Sequence, residues 1–136
     1  MTIAYLGLGS NLGRRASNLS AARRRLRERG AQIVRQSSVI ETEPWGVKDQ
    51  PRFLNQVIEI RWKGTPEQLL EAAKAVEREG GRTPARRWGP RLIDVDILMF
   101  GDRRISTMRL TIPHPRIQER EFVLEGLREL GVTASC

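Results

Sequence analysis

Between Phe53 and Trp62 the chain alternates residue by residue: Phe53, Asn55, Val57, Glu59 and Arg61 interleave with Leu54, Gln56, Ile58, Ile60 and Trp62. Side chains two apart on a strand share a face, so this run is a strand with two distinct sides. The segments around it follow other periods. Ile3 to Leu8 reads as a short buried strand. Asn18 to Arg29 carries Leu19, Ala22 and Leu26 at helical spacing, and Gly30 stops it. Ala31 to Thr42 reads as one strand, with Ile33, Val39 and Ile40 apolar. The Pro- and Gly-bearing loop from Glu43 to Pro51 then returns the chain antiparallel into Phe53.

Thr65-Pro66-Glu67 opens a second helix with an N-cap, a proline in the first turn and an early acid. Leu69, Leu70, Ala73 and Val76 form its stripe and Gly80-Gly81 end it. A basic loop from Arg82 to Gly89 follows. A further strand then runs through Phe100, turned by Gly101-Asp102. Leu110-Thr111-Ile112 is a short strand, and Glu119 to Leu130 a last helix. Strand–helix–strand–strand–helix–strand is the ferredoxin-like split βαβ order. The expected fold is therefore α+β: a βαββαβ core whose antiparallel sheet has helices packed on one face, plus a C-terminal hairpin and helix extension. All 136 residues, 1–136, are read as a single domain.

A formal net charge of +8 favours anionic partners, from nucleic acid to phosphate-rich small molecules. Clusters such as Arg23-Arg24-Arg25 suit a solvated helix face. No apolar run reaches the roughly 18 residues of a membrane span, and the N-terminus lacks the basic start and apolar core of a signal peptide. The single cysteine, Cys136, can form no internal disulfide. The expected setting is the reducing cytoplasm.

Gly7-Leu8-Gly9-Ser10-Asn11-Leu12-Gly13 suggests a nucleotide-binding turn, but its spacing is G-x-G-x-x-x-G, one residue off the dinucleotide fingerprint, and no P-loop motif occurs. A turn with Asn11 or Ser17 capping the next helix accounts for it. The densest chemistry lies in Arg87-Trp88-Gly89-Pro90-Arg91-Leu92-Ile93-Asp94-Val95-Asp96-Ile97-Leu98. On a strand, Asp94 and Asp96 share one face and Ile93, Val95 and Ile97 the other. The carboxylates would stand about 6.5–7 Å apart along the strand, two rises of about 3.3 Å. Like charges at that spacing invite a cation, and Mg²⁺ combines a few carboxylate oxygens with water and substrate phosphates. Without a cation the pair is simply the wet face of an amphipathic strand. Arg87 and Arg91 lie beside it, and guanidinium forks match phosphate oxygens. Acids for metal beside arginines for phosphate make a phosphoryl-transfer layout.

The pattern R-W-G-P-R-x-x-D-x-D resembles the signature of the 6-hydroxymethyl-7,8-dihydropterin pyrophosphokinases, and the resemblance extends from Gly9-Ser10-Asn11 to Pro113-His114-Pro115-Arg116 and Arg120-Glu121-Phe122-Val123. It implies transfer of pyrophosphate from ATP to the hydroxymethyl group of a reduced pterin, with release of AMP. It also implies two Mg²⁺ ions on Asp94 and Asp96 and no organic cofactor. Arg82, Arg91, Asp94 and Asp96 are its implied catalytic residues. Arg82, Arg87, Arg91, Ile97, Thr111, His114 and Arg120 would bind ATP. Thr42, Glu43, Trp45, Phe53, Asn55 and Phe122 would bind the pterin, the two phenyl rings as a sandwich and Asn55 at its polar edge. Glu77 matches an acid near the base of the basic loop. His114, the single histidine, is expected to donate to phosphate rather than act as a base. No strong general base is apparent, which positioning and electrostatics make tolerable.

Two rivals remain at this level. A nucleotidyltransferase also joins a Gly-Ser turn to D-x-D, but places them close in sequence; here they lie at 9–10 and 94–96. A basic RNA-binding module suits the fold and charge, yet aromatics are few and Asp94 and Asp96 would repel a phosphate backbone. The expected partners are two small molecules, with no nucleic acid, no membrane and a monomer as the favoured state.

Overall fold

The computed structural model describes residues 1–43, 51–80, 92–117 and 120–132. Strand β1 (Thr2–Ser10) is central, between β4 (Phe53–Trp62) and β5 (Asp94–Phe100), and antiparallel to both. Beyond β4 lie β2 (Gln32–Gln36) and β3 (Ile40–Thr42), each antiparallel to it. The order β2-β4-β1-β5 is that of a split βαβ sheet.

Helices α1 (Arg15–Glu28) and α2 (Pro66–Glu79) cover one face. There Leu6 and Leu8 of β1, Ile58 and Ile60 of β4, and Val95 and Ile97 of β5 pack against Leu19, Leu26, Leu69 and Val76. The other face carries α3 (Glu121–Glu129), whose Val123 and Leu127 pack with Val57, Leu98 and Ile117. The two helices of the βαββαβ core thus share one face, as expected, and the C-terminal extension helix takes the other. The heptad-like spacing of Val123 and Leu127 allowed a helix, but could not say which side it would take. A short hairpin of β6 (Ile105–Ser106) and β7 (Thr111–Ile112) stands beside β5. No helix among the described residues is long and apolar enough to cross a membrane.

The expected strand from 31 to 42 is broken. The Ser37 N–H donates to the Val57 carbonyl at 2.8 Å, but the Val57 N–H donates to Ser37 Oγ at 2.9 Å. A hydroxyl replaces a carbonyl in the ladder, and the strand divides there. The start of α1 differs too. It begins at Arg15 after Arg14, without a side-chain cap. The Asn11 amide donates instead to the Pro51 carbonyl at 3.0 Å, and Asn18 donates to the Leu12 carbonyl and Ser10 Oγ. Asn11 and Ser17 are thus not its caps. The start of α2 follows expectation: Gln68 N–H donates to Thr65 Oγ1 and Thr65 N–H to Gln68 Oε1, a complete capping box. Gly80 ends α2 at a φ of −76°, so no left-handed turn requires it. What requires it is Ile93, whose Cγ2 would lie 2.5 Å from a Cβ at that position.

Candidate active site

The two faces of β5 divide its residues as alternation demands. Val95 and Ile97 are buried among the helices α1 and α2, while Asp94 and Asp96 are half-exposed on the α3 side. A bulge between Ile97 and Met99 leaves Leu98 without a partner in β1, so Leu98 and Met99 both face α3. The side chain of Ile97 therefore cannot line a site with the aspartates, and only its main chain could meet a nucleotide. The Val95 N–H, between the two aspartates, donates to Glu77 Oε2 at 2.9 Å. Glu77 is almost wholly buried, so α2 fixes the strand at the carboxylate pair.

On β4 the same side carries Phe53, Asn55 and Val57, since Val57 packs under α3. The register aligns Asn55 with Gly9 and Gly9 with Asp94. Asn55 and Asp94 are thus about 10 Å apart at their Cα atoms, two strand spacings across one glycine. Gly9 has a steric purpose. A Cβ there would lie 3.1 Å from Asn55 Oδ1 and 3.5 Å from Phe53 Cδ1. Gly9 thus lies within β1 rather than in the turn that the motif suggested, and its neighbours fold over bare backbone there.

Asn55 Nδ2 donates to Thr42 Oγ1 at 2.6 Å, and Thr42 pairs with Phe53. Glu43 is exposed and forms an ion pair of 3.0 Å with Arg52. Arg15 ties the same corner together, donating to Glu41 Oε2 at 2.9 Å and to the Arg52 carbonyl at 2.8 Å. Phe122 is half-buried on α3, one turn before Gly126. A Cβ on Gly126 would lie 2.5 Å from Val57 Cγ2, so α3 lies directly on β4 there. At its start, Arg120 Nη1 is 3.6 Å from Asp96 Oδ2; near its end, Glu129 Oε1 accepts from Ser38 N–H and Oγ. α3 therefore spans from β5 across to the β2–β3 corner.

His114 lies in the loop after the cis Ile112–Pro113 bond, its N–H donating to the Leu98 carbonyl at 2.9 Å. Its Nδ1 accepts the Arg116 N–H at 3.1 Å, so the neutral ring carries its proton on Nε2. Burial lowers its pKa below the usual value; Asp96 pulls it up, while Arg120 and Arg116 push it down. His114 is thus a neutral donor within the field of Asp96 and Arg120. It also lines a groove of about 390 Å³ with Arg104, Ile105, Thr111 and Ile112. Sequence reasoning singled out Thr111 and His114 but missed Arg104 and Ile105, because β6 is too short to leave a periodic signal. Arg82, Arg87, Arg91 and Trp45 lie outside the described residues.

Among the described residues no group of three or more acidic, histidine or cysteine side chains is arranged to hold a metal. The pair Asp94 and Asp96 still fits Mg²⁺, which takes one or two carboxylates and fills the rest of its shell with water and phosphate. The Arg120 guanidinium, 3.6 Å from Asp96 Oδ2, already sets one positive group at this spot.

Known proteins match along most of the chain. It is 46% identical over 129 residues to the 2-amino-4-hydroxy-6-hydroxymethyldihydropteridine pyrophosphokinase of Bacillus subtilis (strain 168), covering 94% of this chain and 77% of that one. The protein of the same name from Methylorubrum extorquens is 44% identical over 96% of this chain and 84% of its own. The fold matches the Plasmodium falciparum HPPK-DHPS crystal structure with pteroate at a TM-score of 0.74 and 17% identity, covering 94% of this chain and 38% of that one. The family model for 7,8-dihydro-6-hydroxymethylpterin-pyrophosphokinase matches residues 5–132, and the chain belongs to that family.

Proposed function

We propose that this chain transfers the pyrophosphoryl group of ATP to 6-hydroxymethyl-7,8-dihydropterin across the row Asn55–Gly9–Asp94, the observation that carries the reading. Phe53 and Phe122 hold the pterin ring between them, and the Asn55 amide meets its hydrogen-bonding edge. Thr42, Glu43 and Trp45 close that end. ATP lies from the groove at Thr111 and Arg104 toward Asp96, with His114 Nε2–H and Arg120 directed at its phosphates. Arg82, Arg87 and Arg91 add positive charge around the triphosphate, and the main chain at Ile97 helps seat the nucleotide.

Asp94 and Asp96 are the residues that would hold two Mg²⁺ ions. When bound, the ions supply charge neutralisation and alignment of the phosphate oxygens. The pterin hydroxyl oxygen bonds to the β-phosphorus, the bond from that phosphorus to the α-phosphate oxygen breaks, and AMP departs; the hydroxyl proton is released. Arg120 exchanges its contact with Asp96 for the phosphates, and the neutral His114 donates without competing for a proton. Both substrates are small and dissolve in water, and the proposed setting is a monomer acting in the cytoplasm.

The test is product analysis of ATP with the hydroxymethyl pterin. AMP and the pterin pyrophosphate should form together. ADP as product, or salt-sensitive RNA retention without binding of Mg²⁺ and ATP, would overturn the reading.

A further inference from the structure

Asn55 is 6% exposed, so its amide has little water to turn to and depends on the atoms around it. Two elements grip it. From β3, Thr42 Oγ1 takes a hydrogen bond from Nδ2 at 2.6 Å. From β1, Gly9 leaves room for Oδ1, which would stand only 3.1 Å from a Cβ at that position. The Phe53 ring uses the same gap, 3.5 Å from the same point. An added methyl would push Asn55 away from β1 toward Thr42, which already stands at 2.6 Å, so the amide would have to turn and that hydrogen bond would be distorted.

We propose that Thr42, through its hydroxyl, and Gly9, through its missing side chain, are positioning residues that fix the Asn55 amide and so set acceptor affinity without acting on the nucleotide. The inference deepens the reading above and rests on Asn55 meeting the pterin. Gly7 supplies the contrast on the same strand. The atoms nearest a Cβ there belong to Leu98, at 3.5 Å or more, an ordinary contact.

Steady-state kinetics on the full chain decide it, with both substrates varied. Thr42→Val keeps the shape and loses the oxygen; acceptor KM should rise about fivefold to tenfold, the worth of one hydrogen bond. The KM for ATP should stay unchanged and kcat at saturation should hold within about threefold. Thr42→Ser, which keeps the hydroxyl, should restore most of the affinity. Gly9→Ala should act in the same direction as Thr42→Val, and Gly7→Ala should not. If Gly9→Ala fails to fold, the Thr42 pair still decides. An unchanged acceptor KM in Thr42→Val, or an equal rise in both KM values, overturns the inference. Wild-type chain that makes no AMP overturns the underlying reading and this inference with it.

Discussion

At the scale of single residues, the site depends on how few groups carry charge. Asp94 and Asp96 are the acids of the α3 side of β5, so Asp96→Asn should lower AMP formation about 100- to 1000-fold, the usual loss when one preorganised electrostatic partner is removed. Fluorescence titration should show pterin affinity unchanged, because Phe53 and Asn55 belong to β4. His114 makes a second prediction. Burial is the main reason its pKa lies below the ordinary histidine value. The folded chain then binds this proton less readily than the unfolded chain. Its contribution to stability is present above about pH 6.5 and is lost as pH falls through the folded pKa. Long-range nitrogen–proton NMR at pH 7 should find the proton on Nε2 and a midpoint below about 6.5. A doubly protonated ring at pH 7 would contradict both the hydrogen bond from Arg116 and the donor role. Asp94 and Asp96 were legible in the sequence by residue type and spacing, and His114 only through the family resemblance. The importance of Gly9 was not, because a glycine records no trace of the side chains that lean over it.

At the scale of elements, the contact of α3 with β4 is the tightest test of the fold. Gly126→Ala would set a methyl 2.5 Å from Val57 Cγ2, backed by Ser37. Overpacking of this kind costs about 1–3 kcal/mol, and chemical denaturation should show a loss in that range. Thr65→Ala removes one half of a capping box and should cost about 1 kcal/mol by the same measurement. Here the sequence was uneven. Thr65, Pro66 and Gln68 announce the start of α2 because capping is local chemistry. The break at Ser37 was invisible, since it arises from a hydroxyl meeting the Val57 N–H of a strand twenty residues away in sequence. The capping role expected of Asn11 failed for a similar reason: its partner, Pro51, is distant in the chain.

At the scale of the molecule, both core clusters are apolar and neither contains Asp94 or Asp96. Chelating divalent metal should therefore abolish AMP formation while leaving the thermal unfolding midpoint of the ligand-free chain unchanged. A large drop in that midpoint would mean that the metal is part of the fold rather than of the reaction. The antiparallel sheet and its strand order were readable because hydrophobic periods change clearly along the chain. The side taken by α3 was not, because Val123 and Leu127 would satisfy either face. That choice nevertheless sets α3 on Val57 and brings Arg120 to Asp96.

Strand β5, at one end of the order β2-β4-β1-β5, has a further consequence. A sheet margin ordinarily offers a row of unclaimed peptide groups onto which a foreign strand can zip. Here Glu77 has already taken the Val95 N–H, and the His114 N–H has taken the Leu98 carbonyl. Two of the peptide groups on that margin are therefore already occupied, and a foreign strand would have to displace Glu77, which steadies the carboxylate pair, and His114 to pair there.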